Sequence, residues 1–386
     1  MASKLEESTQ TAKKIGIGCL VVVGIVILYG IASSIFRPEP EPYNPYPQAA
    51  NKELGELPVL EFEPLPLAEG SNPEYKIETT DGKLPKLPTI VNVHSTKTPR
   101  QSLTAQDDAV EIAHSLGFNS EPIVVSPTEL KWTNGARTLQ IDKLYKIVNL
   151  TTNYSKDEEA SKYHEILPDG GPYIQTAMSN LTNAGLLPAD YGDNPATNVT
   201  YMKLNSNFTL EKAKSASDAG FVRIDFFKSI ESVGVTVPEG ISEEQQDEIL
   251  DMRIFSEVLT DSPHEGLIYI ILGGKGGSQN IYEVQYIDWE LDTKSTYDLI
   301  SLKDAWSSVK NGEGYIRSLY ETNYNPFIKY LPLNVQSFLL TNVETVYYSS
   351  KEYLKYIQPM YKFTGIATLP DDQRADYTIY YPAVKH

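Results

Sequence analysis

Ile15-Gly16-Ile17-Gly18-Cys19-Leu20-Val21-Val22-Val23-Gly24-Ile25-Val26-Ile27-Leu28-Tyr29-Gly30-Ile31-Ala32-Ser33-Ser34-Ile35-Phe36 is a run of twenty-two residues without one charged side chain. As an α-helix it would be about 33 Å long at 1.5 Å per residue, matching a bilayer hydrocarbon core of roughly 30 Å. The run predicts one membrane-spanning helix over 15–36, an expectation that sorts the rest of the chain into an inside and an outside. Lys4, Lys13 and Lys14 precede it, and only Arg37 follows directly, with Glu39 and Glu41 beyond. Basic residues stay on the cytoplasmic side, so 1–14 is expected as a cytoplasmic tail and the carboxyl-terminal bulk as extracytoplasmic. A cleaved leader has a shorter apolar core of about 7–15 residues, although Ala32-Ser33-Ser34 forms a small-residue cluster of the kind found at cleavage sites. Cys19 sits early in the run rather than at its end, which argues against a lipoprotein leader. Gly16, Gly18, Gly24 and Gly30 never fall four apart, so the Gly-x-x-x-Gly pairing motif of membrane helices is absent.

The chain holds 33 Lys and Arg against 51 Asp and Glu, a formal charge of −18. Such a field repels nucleic-acid phosphates and anionic lipid heads, so nucleic acid is not an expected partner. Cys19, the one cysteine, lies inside the expected span and leaves no intramolecular disulfide available. An extracytoplasmic region of this size without disulfides fits a bacterial cell envelope. Asn149, Asn153, Asn180, Asn198 and Asn207 each begin an Asn-x-Ser/Thr sequon, a pattern that an Asn- and Thr-rich chain also produces by chance. Arg37-Pro38-Glu39-Pro40-Glu41-Pro42-Tyr43-Asn44-Pro45-Tyr46-Pro47 opens a Pro-rich spacer over 37–71. Proline fixes φ and removes donors, and ten polyproline II residues would hold the fold roughly 30 Å from the bilayer.

From Asn72 the pattern becomes globular. Leu84 to Val93 alternates between Pro85 and Pro88 and reads as an edge strand. A helix follows, with Ala109, Val110, Ile112, Ala113 and Leu116 at helical spacing and Gly117 as its stop. Glu129–Thr133 and Thr138–Asn149 alternate around Asn134-Gly135, a strong hairpin signal. These elements predict a first α+β module over 72–150. A second, larger α+β region, 151–386, is expected to hold helices at Asp157–Ile166, Tyr173–Ala184, Thr209–Ala219, Ser242–Met252 and Ser301–Lys310. Its expected strands are Asn198–Leu204, a half-buried Phe221–Phe227, a hairpin of Gly266–Leu272 with Ile281–Glu290, and a Tyr-rich sheet of Val343–Ser349, Met360–Ile366 and Tyr377–Tyr381.

Asp108-Ala109-Val110-Glu111-Ile112-Ala113-His114-Ser115-Leu116-Gly117-Phe118 resembles the helix of PepSY-like modules. Ser295-Thr296-Tyr297-Asp298-Leu299-Ile300-Ser301-Leu302-Lys303-Asp304-Ala305-Trp306 resembles it too, with Tyr347-Tyr348 and Tyr353-Leu354-Lys355-Tyr356-Ile357-Gln358-Pro359-Met360-Tyr361 as the later strand pair. Over 72–386 the chain is similar to bacterial extracytoplasmic regulatory proteins that sit beside two-component sensor kinases. The resemblance implies an α+β fold, in which an N-terminal transmembrane helix precedes tandem modules of helix plus curved antiparallel sheet. It also implies a non-catalytic binding or inhibitory ectodomain.

Catalytic patterns are incomplete. His164-Glu165 and His264-Glu265 begin like a zinc-protease helix, but Pro168 and Ile268 stand where the second histidine belongs. Ser307-Ser308-Val309-Lys310 has the bare Ser-x-x-Lys spacing without the Ser-Asp-Asn or Lys-Thr-Gly strings of its enzymes. Gly273-Gly274-Lys275-Gly276-Gly277 lacks the Ser or Thr that a phosphate loop places after its lysine. Asp288, Glu290 and Asp292 alternate along an expected strand, where same-face carboxylates stand about 7 Å apart, too far for one ion. No catalytic residue, cofactor or metal is therefore expected. The best binding hint is aromatic. Tyr347, Tyr353, Tyr356, Tyr361 and Tyr380 are candidates for a binding face, because tyrosine joins a broad apolar ring to a hydroxyl. The expected function is a membrane-anchored, non-enzymatic binding or regulatory protein acting on an envelope protein or peptide. The alternatives are a wall-polymer binding module, or an envelope hydrolase with a site assembled from distant segments.

Overall fold

The chain folds mainly as β-sheet in the computed structural model, which describes residues 43–157, 160, 172–273, 281–321 and 329–385. In chain order the elements begin with strands β1 (Glu74–Ile77) and β2 (Ile90–Thr96), helix α1 (Ala105–Ser115), and strands β3 (Ile123–Val124), β4 (Glu129–Asn134), β5 (Arg137–Asp142) and β6 (Ile147–Thr152). Helix α2 (Tyr173–Asn183) leads to β7 (Ala196–Leu204), β8 (Leu210–Lys212), β9 (Phe221–Phe227) and β10 (Ser229–Val233). Helix α3 (Glu243–Leu250) precedes β11 (Ile254–Leu259), β12 (Ile268–Gly273), β13 (Ile281–Tyr286) and β14 (Leu291–Asp298). Helix α4 (Leu302–Ser308) and strands β15 (Tyr315–Glu321), β16 (Ser337–Tyr348), β17 (Tyr356–Thr368) and β18 (Arg374–Pro382) complete the chain.

Among the described residues these strands form two nine-stranded sheets. One, the helix-covered sheet, is antiparallel throughout in the order β3-β4-β5-β6-β13-β12-β9-β7-β8. The other, the Tyr-rich sheet, follows β10-β11-β16-β17-β18-β15, with β1 parallel to β16 and β2 bridging β14 and β17. Helices α1 and α2 share one core with the helix-covered sheet, where Ala109, Ala113, Ala177 and Leu181 meet Trp132, Leu139, Leu150, Ile224 and Ile270. In α1, Ala105, Ala109 and Ala113 recur every fourth residue and are all buried, which lets its backbone lie close on the sheet. Both helices end in the same way. Phe118 N–H returns to Ala113 O at 2.8 Å past Gly117, and Leu186 N–H returns to Leu181 O at 2.7 Å past Gly185. Gly117 (φ 87°) and Gly185 (φ 68°) adopt the left-handed conformation that this closure needs.

This architecture corrects the expected α+β fold of a transmembrane helix followed by helix-and-sheet modules. The two sheets interleave along the chain: β1 and β2 join the Tyr-rich sheet, while β3–β6, from the same stretch 72–150, join the other. Alternation marks which face of a strand is buried, but not which distant strand pairs with it. Thr209–Ala219 is not a helix, because the Asn205 side chain accepts from Asn207 N–H and Thr209 N–H at 2.9 and 3.1 Å. That turn folds Leu210 back beside Leu204. Likewise 295–298 is the end of β14, and the helix starts only after Ser301. Strand β9 is buried on both faces rather than half-buried.

The expectation of a single-pass cell-membrane protein with an extracytoplasmic domain is also corrected: among the described residues no helix is long and apolar enough to cross a membrane. Residues 15–36, on which that expectation rested, lie outside the described residues, as do most of Asp157–Ile166, His164-Glu165 and residues 274–280. Residues 46–71, read as spacer, belong to the same compact unit as the sheets. They run as a strap in which Leu57, Leu60 and Phe62 are buried. Its backbone bonds to Thr296 O from Lys52 N (3.1 Å) and to Ile316 O from Leu65 N (2.9 Å).

Candidate functional site

A groove of about 200 Å³ opens between α1 and the C-terminal end of α2, above β5, β6 and β13. Its apolar surface comes from Ala105, Ala109 and Ile112 of α1, Ile141 and Val148 of the sheet, and Leu186 just past α2. The 3.6-residue period puts the α1 positions on one face, and the α2 closure described above brings Leu186 inward. Tyr286, at the end of β13, lines the groove as well. Burial, with the Asp288 and Asp190 carboxylates near it, pushes the Tyr286 hydroxyl above its usual value, so it is neutral at pH 7.

The polar part of the groove is built by the turn joining β5 to β6. Asp142 Oδ1 accepts Leu144 N–H at 2.8 Å and Tyr145 N–H at 3.0 Å, the local bond by which aspartate starts a turn. Lys146 follows with φ 54°. Lys143 is fixed within the turn by its backbone N–H on Thr128 O at 2.7 Å. Its side chain is enclosed, the residue being only 8% exposed. Its ammonium donates to Gln106 Oε1 at 3.5 Å, beyond the usual hydrogen-bond range. Asp108 stands at the rim and accepts the Thr104 hydroxyl at 3.1 Å. Sequence reasoning missed this site because the turn fell inside one expected strand, Thr138–Asn149. The signal was Asp142 followed by two N–H donors and a lysine on either side of Leu144-Tyr145.

The five candidate tyrosines do not make an exposed face. Tyr347 and Tyr380 are wholly enclosed and Tyr361 is 2% exposed. Tyr361 OH donates to Ile300 O at 2.7 Å, and Tyr347 OH donates to Asn92 O. Tyr380 packs edge-on to Phe62. Tyr353 sits edge-on to Trp289, and the Tyr356 hydroxyl reaches back to Leu54 O of the strap. They are sheet packing, as pleated antiparallel strands favour.

The other motifs are also placed. Asp288 pairs with Lys228 and Glu290 with Lys97, while Asp292 is exposed. Among the described residues no group of three or more metal-ligating side chains converges. Ser307 and Lys310 are exposed on and after α4. His264 Nε2 lies 3.0 Å from Ser318 Oγ, a serine–histidine contact that spacing did not reveal. Ser318 is 3% exposed within β15. Asn198 Nδ2 donates to His264 O at 3.0 Å, and Asn180 Nδ2 is buried, so neither side chain presents an open sequon.

No protein-family model matches the chain, and no curated relative matches it. Among solved structures it is similar to an uncharacterized protein from Eubacterium rectale, with a TM-score of 0.37 and 10% identity, over 81% of this chain and 90% of that one.

Proposed function

We propose that the protein is a non-enzymatic binding protein whose α1–α2 groove takes up an aliphatic side chain of a peptide or protein partner. The observation that carries this reading is the groove itself, an aliphatic surface framed by two helices beside an aromatic wall and one enclosed cation. Pockets of this composition bind by burying apolar surface and orient the ligand with a few polar groups. Its lining residues include no serine, threonine, cysteine or histidine to act as nucleophile or imidazole base.

The reading is tested by methyl NMR, titrating the neutral peptide Ac-Ala-Leu-Ala-NH2 into protein labelled at Ile, Leu and Val methyls. Saturable shifts are expected at Ile112, Ile141, Val148 and Leu186, and none with Ac-Ala-Gly-Ala-NH2. Scattered or absent shifts would reject the groove as a binding site.

A further inference from the structure

We infer that the groove recognises the carboxyl terminus of a peptide: Lys143 receives the free α-carboxylate, and the last side chain, an aliphatic one, fills the apolar surface beside it. The inference rests on the groove being a binding site and adds which end of which kind of ligand it takes.

The argument turns on how the protein treats its enclosed cations. Arg223, 8% exposed, makes a bidentate contact with Asp225 at 2.8 and 2.7 Å and has Glu265 at 3.6 Å. Lys228, 5% exposed, has Asp288 at 3.0 Å and Asp190 at 2.5 Å. Lys143 is 8% exposed as a residue, and among the described residues its ammonium has only the long contact to Gln106, which is itself exposed at the edge of the groove. Taking an ammonium out of water is unfavourable unless an anion or several acceptors replace the water. Among the described residues neither groove carboxylate forms an ion pair with Lys143: Asp142 Oδ1 accepts two backbone N–H groups and Asp108 Oδ2 accepts the Thr104 hydroxyl. Two of the three Lys143 N–H donors are therefore left for a ligand.

The chain's charge selects among anionic ligands. At a formal −18 overall, with Asp107, Asp108 and Glu111 exposed along α1, the surroundings repel a ligand that is anionic throughout. They favour one whose single carboxylate enters the groove while its remainder is neutral or basic. A peptide terminus has that distribution, and capture of a terminal carboxylate is an established mode of peptide recognition. Lys146, exposed at the mouth of the groove, adds a second cation on the approach.

Isothermal titration of the full chain with Ac-Lys-Ala-Leu as free acid, its C-terminal amide, and octanoate tests this. The acid is expected to bind roughly tenfold tighter than the amide, in line with one charge-assisted hydrogen-bonded contact. Lys143→Gln is expected to erase that difference, with octanoate no tighter than the amide. Equal binding of acid and amide to the unaltered protein would overturn the carboxylate assignment while leaving the groove reading in place. Tighter binding of octanoate than of the peptide acid would overturn the peptide assignment. No binding by any of the three, together with silent methyls in the neutral-peptide titration, would remove both readings. Because the acid and amide are compared on the unaltered chain, the outcome stands even if Lys143→Gln fails to fold.

Discussion

Lys228→Met should destabilise the protein by breaking the ion pairs at the junction of the two sheets. Phe227 ends β9 in the helix-covered sheet and Ser229 begins β10 in the Tyr-rich sheet, so Lys228 is the single residue between them. Its ammonium is held by Asp288 at 3.0 Å, from the segment where the chain crosses again between β13 and β14, and by Asp190 at 2.5 Å. Methionine keeps the stem but strands the Asp288 carboxylate, whose side chain is only 12% exposed. Removing one partner of a buried pair typically costs about 3–5 kcal/mol. The lower end applies here, about 3 kcal/mol, because Asp190 is half in water and needs no replacement partner.

Two further measurements separate this mechanism from lost packing. Burial already raises the Asp288 carboxyl above its usual value, against the pull of Lys228. Without Lys228 it rises further, so the folded variant holds a proton that the unfolded chain releases above about pH 4. The deficit of Lys228→Met should therefore shrink as pH falls from 7 to 5. Adding Asp288→Asn should restore about 2 kcal/mol, the coupling of a close pair. Urea unfolding followed by tryptophan fluorescence reads all three. A loss below 1 kcal/mol, a deficit unchanged with pH, or a double variant no more stable than the single one would refute the reasoning.

Gly365→Ala in β17 would place its Cβ 1.9 Å from Leu339 O, and prising β16 from β17 should cost roughly 1–3 kcal/mol or more. Unfolding midpoints would check it, and a change within 0.5 kcal/mol would contradict it. Ser242→Ala removes the capping box in which Ser242 Oγ accepts from Gln245 N–H at 3.3 Å, worth about 1 kcal/mol to α3. Amide exchange in α3 should accelerate about fivefold with little change in Tm, since the helix has no buried residue; unaltered exchange would contradict the cap. His94 and His264 are both held below the usual histidine value, chiefly by burial. The unfolded chain therefore binds more protons just below pH 6.5, and stability falls as pH drops through that window. Replacing both by glutamine should flatten the change in Tm between pH 7.5 and 5.5 relative to the unaltered chain; parallel curves would contradict it.

Local signals in the sequence decide the structure where one short segment settles the outcome. The apolar spacing of α1 with its Gly117 stop, α2 with Gly185, the Ser242 start of α3 and the hairpin at Asn134-Gly135 all occur. Even there the turn is offset by one residue: Asn134 pairs with Arg137, so Gly135 and Ala136 form the loop. What stayed hidden depends on partners far along the chain. Tyr347 and Tyr380 carry the same aromatic signal whether a ring faces solvent or another strand, and only the pairing of β16, β17 and β18 encloses them. The groove has contributions from 105–112, 141–148, 185–186 and 286, a set that no spacing rule brings together. A lysine without a counter-ion is likewise recognisable only once its surroundings are known.

The strap from Tyr46 to Ser71 settles where this polypeptide can be shortened. Phe62 meets Tyr315, Tyr348 and Tyr380 edge-on, with centroids 5.2, 4.7 and 5.9 Å away. Leu57 shares a cluster with Val93, Tyr297 and Val384, and Gln358 Nε2 donates to Pro58 O at 2.9 Å. A fragment starting at Asn72, where composition alone would set the boundary, would bare this aromatic seam to water and invite self-association. Recombinant work on the folded part should therefore begin no later than Tyr46, keeping residues 46–71 as an integral clasp.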